Sequence, residues 1–168
     1  MPDGRGIEGM TDTTGGRSEA KPIRLSGLWK IFSTRREQVT AVRDVSLTVE
    51  PGELLTLLGP SGCGKTTVLR MIAGLEDPTQ GDIHIGEVRV NDLPANRRRV
   101  GMVFQSYALF PHLTVFENAA YSLRIRRRPE LEVQESVRAI LTLLGLEGHA
   151  ERSPARLSGG EQQRVALA

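Results

Sequence analysis

The sequence predicts an α/β fold: a phosphate-binding core on a parallel sheet, a small antiparallel layer beside it, and a mainly helical insertion. Three observations carry this. Residues 54–73 read as a short apolar strand, a glycine-rich loop and an amphipathic helix, in that order. Residues 45–49 and 83–90 alternate in the period of strands, and residues 115–144 carry apolar positions at helical spacing.

The loop is the most specific feature. Gly59-Pro60-Ser61-Gly62-Cys63-Gly64-Lys65-Thr66 fills the pattern G-x-x-x-x-G-K-[ST]. Backbone N–H groups surround phosphate oxygens only where side chains leave room, which is the task of Gly59, Gly62 and Gly64. Lys65 supplies a mobile positive charge for β- and γ-phosphates, and the Thr66 hydroxyl is placed to hold Mg²⁺. Pro60, Ser61, Cys63 and Thr67 complete the candidate nucleotide contacts, and a helix starting near Lys65 adds its N-terminal dipole. Residues 54–58 form a nearly continuous apolar run bounded by Pro51-Gly52 and Gly59-Pro60, the pattern of a parallel strand covered on both faces. Val68, Leu69, Ile72 and Leu75 continue as a helix. A glycine turn without a ligand leaves Lys65-Thr66 unexplained.

Composition sets the bounds. A chain of 168 residues can bury a sizeable core, and 39% hydrophobic with 25% charged residues places it in the soluble globular class. Net charge is +2 and aromatic content 4%, so the clusters Arg97 to Arg99 and Arg126 to Arg128 read as solvated faces, with no nucleic-acid partner expected. No run approaches the roughly 18 apolar residues of a membrane span, and the N-terminus lacks the order of a secretory signal. The single cysteine excludes an intrachain disulfide and suits a reducing interior. Lys65 is near enough to depress the pKa of Cys63, but no base accompanies it, so Cys63 reads as a compact filler of the loop.

Along the chain, residues 1–22 are expected to be a flexible extension. Ile23, Leu25 and Leu28 are expected to form an edge strand, with Trp29 and Phe32 both candidates either for stacking on an adenine or for packing. After a polar excursion at 33–38, Val45, Leu47 and Val49 mark a half-buried strand, which turns through residues 50–53 into the loop strand. Beyond the turn at 77–81, Ile83 and Ile85 lead a hairpin through Gly86 to Val88 and Val90. Val100, Met102 and Phe104 predict a further strand ending at Gln105. In the loop 106–114, Tyr107, Leu109, Phe110 and Leu113 either pack beneath it or dock a partner. Helices are predicted over 115–123 and 132–144, the second stopped by Gly145, within a helical insertion over 107–157.

A second anion site is a candidate near the C-terminus. Ser158 and Glu161 form a capping box. Gly159 and Gly160 just inside that helix cost stability, so they call for a further reason such as close approach to a ligand or another backbone. Ser158 and the exposed amides are then candidate phosphate contacts.

With the phosphate loop, Gln105 after a strand and residues 157–163 before a helix, the chain over 23–168 resembles the ATP-binding subunit of an ATP-binding-cassette transporter. The resemblance implies a P-loop NTPase of that cassette type: a RecA-like parallel-sheet core with an antiparallel β layer and a helical subdomain. It divides the chain into core over 23–106, helical subdomain over 107–157, and the start of the second half of the core over 158–168. It makes residues 59–66 the Walker A loop, Gln105 the Q-loop, and Leu157, Ser158, Gly159, Gly160 and Glu161 the signature. Phe32 stands where the family places its adenine-stacking aromatic, and Glu161 where glutamine is common. Lys65, Gln105 and Ser158 become the catalytic set, with Thr66 and Gln105 beside Mg²⁺.

The implied cofactors are ATP and Mg²⁺. The implied partners are a second copy, docked head to tail with ATP between phosphate loop and signature, and membrane permease subunits contacted through the region after Gln105, on the cytoplasmic face of the membrane. Residues 88–115 look most like importer ATPases, maltose and related sugars first, with polyamine and ferric-iron importers sharing much of 107–117. The family's Walker B aspartate, general-base glutamate and switch histidine are expected beyond Ala168, and His84, His112 and His149 precede the signature. The expectation is therefore a chain shortened at its C-terminus, binding nucleotide weakly and poor in stability and turnover alone. A soluble cassette ATPase of DNA repair or translation, and a nucleotide-binding regulatory module, remain the alternatives.

Overall fold

The computed structural model describes residues 20–34 and 37–168. They divide into two compact units, one ending at Val100 and the other running from Gly101 to Ala168. The expected extension lies outside the described residues except for Ala20, Lys21 and Pro22, which carry no helix or strand.

In the first unit, β1 (Ile23–Ser33), β2 (Gln38–Val49), β3 (Gln80–Ile85) and β4 (Val88–Arg89) form an antiparallel sheet in the order β2-β1-β3-β4. The expected edge strand is an interior one: Leu25 pairs with Leu47 on one side and Ile83 on the other. The returning strand β3 pairs along the edge of β1 that β2 leaves open. The ladder is irregular between Leu25 and Leu28, and there the Gly27 N–H donates to Ser46 Oγ at 2.8 Å. Val45, Leu47 and Val49 face inward between exposed Ser46 and Thr48, as their alternation predicts. Helix α1 (Lys65–Ala73) buries Val68 and Met71 in a core with Leu25, Leu28, Val42, Ile83 and Val90.

Two predicted strands are corrected. Residues 54–58 carry no ladder pairing; Leu54 is 91% and Leu58 87% exposed, and Leu57 alone of the run packs against the core. Residues 100–104 are likewise unpaired. An apolar run becomes a parallel strand only where neighbouring strands accept its ladder, and among the described residues the sheet contains antiparallel pairs alone.

The reading of Arg97 to Arg99 as a solvated face is also corrected at its centre. Arg98 is 3% exposed, and its guanidinium donates to four backbone carbonyls: Met71 (2.6 Å), Leu93 (2.7 Å), Asn91 (3.1 Å) and Ile72 (3.4 Å). Two of these belong to the C-terminal turn of α1, where carbonyls lack intrahelical partners. Gly74 makes room for the arrangement, since a Cβ there would lie 2.5 Å from Arg98 Nε.

The second unit packs α2 (Val115–Ile125), α3 (Glu130–Leu143) and α4 (Gly159–Leu167) around Val115, Ala120, Val133, Val137, Leu141, Leu146 and Val165. Both predicted helices appear, α2 two residues longer at its end and α3 starting two residues earlier and ending one residue earlier, with Gly145 (φ 65°) just past its C-cap. A reciprocal capping box of Thr114 and Glu117 starts α2.

Candidate functional site

The phosphate loop joins residues 54–58 to the first turn of α1, and its backbone follows its glycines. Gly62 has φ 80° and Gly64 φ 94°, both in the region that favours glycine. Gly64 has a second reason: a Cβ would run into the Ala41 carbonyl oxygen of β2. Sequence spacing carries no sign of this approach of strand to loop.

Lys65 opens α1, and its ammonium is drawn over the loop, donating to Gly59 O and Pro60 O at 2.7 Å each and to Cys63 Sγ at 3.2 Å. That bond from Lys65 holds the exposed Cys63 thiol below its ordinary pKa. Thr66 is exposed and Thr67 half-buried on the first turn of α1, while Pro60 and Ser61 are exposed. A cavity of about 560 Å³ lies against the loop, lined by Thr40, Ala41, Leu57, Cys63, Gly64 and Lys65 among others.

Phe32 pairs with Val39 in the β1–β2 ladder, and this ladder reaches the loop through Ala41 and Gly64. Its ring is 40% exposed, with Lys30 Nζ 4.9 Å from its centroid. Trp29 is half-buried, with Arg43 Cζ 6.0 Å from its ring, so the more open aromatic is Phe32.

These residues fit a nucleoside triphosphate with Mg²⁺. A mobile ammonium, the first turn of a nine-residue helix and a glycine-lined bend together suit phosphate oxygens. The exposed Thr66 hydroxyl suits a hard cation that keeps phosphate oxygens as its other ligands. Among the described residues no group of three or more His, Cys, Asp or Glu is placed to hold a metal by itself.

Gln105 and the residues from Ser158 to Glu161 belong to the second unit. Gln105 is exposed in a turn. Tyr107 and Ala108 follow it with φ 62° and 52°, unusual for non-glycine residues, and the Tyr107 hydroxyl stands 3.8 Å from where a Gly159 Cβ would be. Leu109 packs against the core of this unit, and Phe110 stacks on Tyr121 at 4.4 Å, so the loop packs on its own unit through much of its apolar surface. Asn118 secures it by accepting from Phe110 N–H and donating to the carbonyls of Phe110, Leu113 and Thr114. An asparagine inside a helix gives no sequence sign of such a role.

Ser158 is the N-cap of α4, and the predicted capping box is present in both directions. Glu161 Oε2 accepts from Ser158 N–H at 2.7 Å and Ser158 Oγ–H at 2.8 Å, and its other oxygen meets His149 Nε2 at 3.2 Å. The bonds from Ser158 hold the Glu161 carboxyl below the usual carboxylate range, and the charge of Arg164 adds to them. Gly159 and Gly160 form the first turn of α4, exposed as a phosphate contact requires. His149 has no signal in the sequence that assigns it to this cluster.

The chain has relatives across several kinds of import protein. It is 52% identical over 151 residues to the trehalose/maltose import ATP-binding protein of Thermococcus litoralis, covering 86% of this chain and 40% of that protein. It is 60% identical over 129 residues to the Fe(3+) ions import ATP-binding protein of Rhizobium etli, covering 77% and 36%. It is 51% identical over 159 residues to the spermidine/putrescine import ATP-binding protein of Acidothermus cellulolyticus, covering 95% and 41%. The chain thus spans about two fifths of the length of these curated relatives. Among solved structures, the ATP-binding cassette MJ0796, a dimer bound to ADP and Pi, matches with TM-score 0.79 at 35% identity over 86% of this chain and 67% of that one. With residues 42–168 matching the ABC transporter family model and this structural likeness beside it, the chain belongs to the ABC transporter family and has its P-loop NTPase cassette fold.

Proposed function

We propose that this chain is the nucleotide-binding part of an importer ATPase, a subunit that binds and hydrolyses ATP to power solute uptake through membrane permease subunits. The observation that carries this is the Lys65 ammonium drawn over a loop bent at Gly62 and Gly64, in a chain 51–60% identical to import ATP-binding proteins. Family membership implies ATP and Mg²⁺. On this reading Lys65, the loop amides and the start of α1 bind the phosphates, Phe32 stacks on the adenine and Thr66 holds Mg²⁺. Mg²⁺, when bound, supplies charge neutralisation between phosphate oxygens. Gln105 would hold the attacking water and add a ligand to the metal, while Ser158, Gly159, Gly160 and Glu161 would meet the phosphate held by a second copy.

The dimeric cassette MJ0796 supports pairing with a second copy; docked head to tail, such a pair accounts for two anion-binding segments in a chain with one phosphate loop. Residues 107–157, the helical subdomain, carry closure of that dimer to the permease, at the cytoplasmic face of the membrane. No helix among the described residues is long and apolar enough to cross a membrane, which fits a peripheral subunit. Sugar, polyamine and ferric-iron import proteins are similarly close, so the solute is chosen by other subunits.

Lys65→Ala tests the reading. Titration calorimetry with Mg²⁺-ATP is expected to show affinity lowered at least about tenfold, with the fold kept, because a charge-assisted phosphate contact is lost. Unchanged affinity would overturn it.

A further inference from the structure

Lys30 and Phe32 stand two positions apart on β1, and the Lys30 ammonium lies over the Phe32 ring, 4.9 Å from its centroid. That ammonium is held from the turn after α1. It donates to the Asp77 carbonyl at 2.8 Å and forms an ion pair with Glu76 Oε1 at 2.5 Å, and the Lys30 side chain is only 12% exposed. The turn is itself fastened to β1 on either side of Lys30. The Thr79 N–H donates to the Trp29 carbonyl at 2.8 Å, and the Ile31 N–H donates to Thr79 Oγ1 at 2.9 Å. A lysine ordinarily leaves its ammonium in water, so a head group drawn back against an aromatic face and tied there calls for a reason.

Phe32 supplies one. An exposed ring that must be ordered when a ligand arrives loses affinity to that ordering, and a group that fixes the ring beforehand removes the loss. A cation attracted to one face fixes the ring and leaves the opposite face open. With π density drawn toward the ammonium, the open face suits a neutral, electron-rich ring such as a purine better than a second cation.

We propose that Lys30 is a positioning residue for base recognition: held by Glu76 and Asp77, it fixes Phe32 as a one-faced platform for the adenine. The proposal rests on the reading of Phe32 as the stacking residue. It gives the turn after α1 a part at the base end of the site, as the loop before α1 has at the phosphate end.

Titration calorimetry of the chain with Mg²⁺-ATP and with Mg²⁺-tripolyphosphate, which has the phosphates without the base, separates the two ends. Lys30→Met is expected to weaken ATP binding about fivefold and to leave tripolyphosphate binding unchanged. Lys30→Arg, which keeps a cation for the ring, is expected to recover most of the ATP affinity. In a Phe32→Ala background, Lys30→Met is expected to add no further loss. Glu76→Gln, which removes the ion pair and keeps the ammonium, is expected to give a smaller loss of the same kind, and it decides the matter by the same comparison should Lys30→Met fail to fold by circular dichroism. Equal losses for ATP and tripolyphosphate, a loss that arginine does not restore, or an unchanged ATP affinity while Phe32→Ala weakens it, overturns positioning by Lys30 alone. An ATP affinity indifferent to Phe32→Ala refutes the stacking reading and this proposal with it, whereas the phosphate end is judged separately by Lys65→Ala.

Discussion

The Lys65 ammonium bonds at once to two carbonyls and a thiol of its own loop, which ties the loop's charge to the chemistry of Cys63. Because the thiol pKa is lowered, thiolate persists at pH values where a free cysteine is protonated. The alkylation rate of Cys63 with iodoacetamide is therefore expected to reach half its plateau at lower pH than free cysteine. Lys65→Ala is expected to move that midpoint back up. A midpoint unmoved by the substitution would mean that Lys65 is not the cause.

Helix α1 has one end in the phosphate loop and the other on Arg98. Removing the guanidinium would take a charged donor from the Met71 carbonyl, leaving it only the weaker bond from Gly74 N–H, and from the carbonyls of Ile72, Asn91 and Leu93. Burial lowers the Arg98 pKa, the nearby charges of Asp77 and Asp92 oppose this, and the side chain remains a cation at the negative end of the helix dipole. Arg98→Ala is expected to destabilise the unit ending at Val100 by about 3 kcal/mol in urea unfolding. Arg98→Lys is expected to recover only part of this, since one ammonium cannot span carbonyls on both sides of the side chain. A cost below about 1 kcal/mol would place Arg98 among ordinary surface substitutions.

Acid acts on the unit from Gly101 to Ala168 through two carboxyls held below the usual range, Glu130 by the hydrogen bond from Arg124 and Glu161 by those from Ser158. A carboxyl with a lower pKa in the folded than the unfolded state adds stability above its unfolded pKa. It loses that stability as pH falls through the folded value. Thermal stability of this unit is thus expected to be level from about pH 7 to 5 and to fall below about pH 4. The paired change Glu130→Gln with Glu161→Gln is expected to flatten the fall, read by circular dichroism at α2 to α4. A melt equally steep with both substitutions would exclude these two carboxyls as its source.

Local chemistry made much of this molecule legible from its residues. The phosphate loop, the helix it opens, the hairpin at Gly86 and the Ser158–Glu161 capping box follow from turn glycines, cap residues and apolar period, which act over a few positions. The same locality makes Ser158 with Glu161 legible as a cap in the sequence. Pairing was not legible. Residues 54–58 and 100–104 have the apolar character of strands, but a strand exists only through partners distant in sequence, and β1 became interior because β3 returned to it. Arg98 reads as one of three surface arginines until the carbonyls of α1 and residues 91–93 close around it. His149 likewise reads as a turn residue until the fold sets its Nε2 against Glu161. Side-chain period and caps are properties of neighbouring residues, whereas ladder partners, buried cations and the company of a histidine depend on which distant segments the packing brings together.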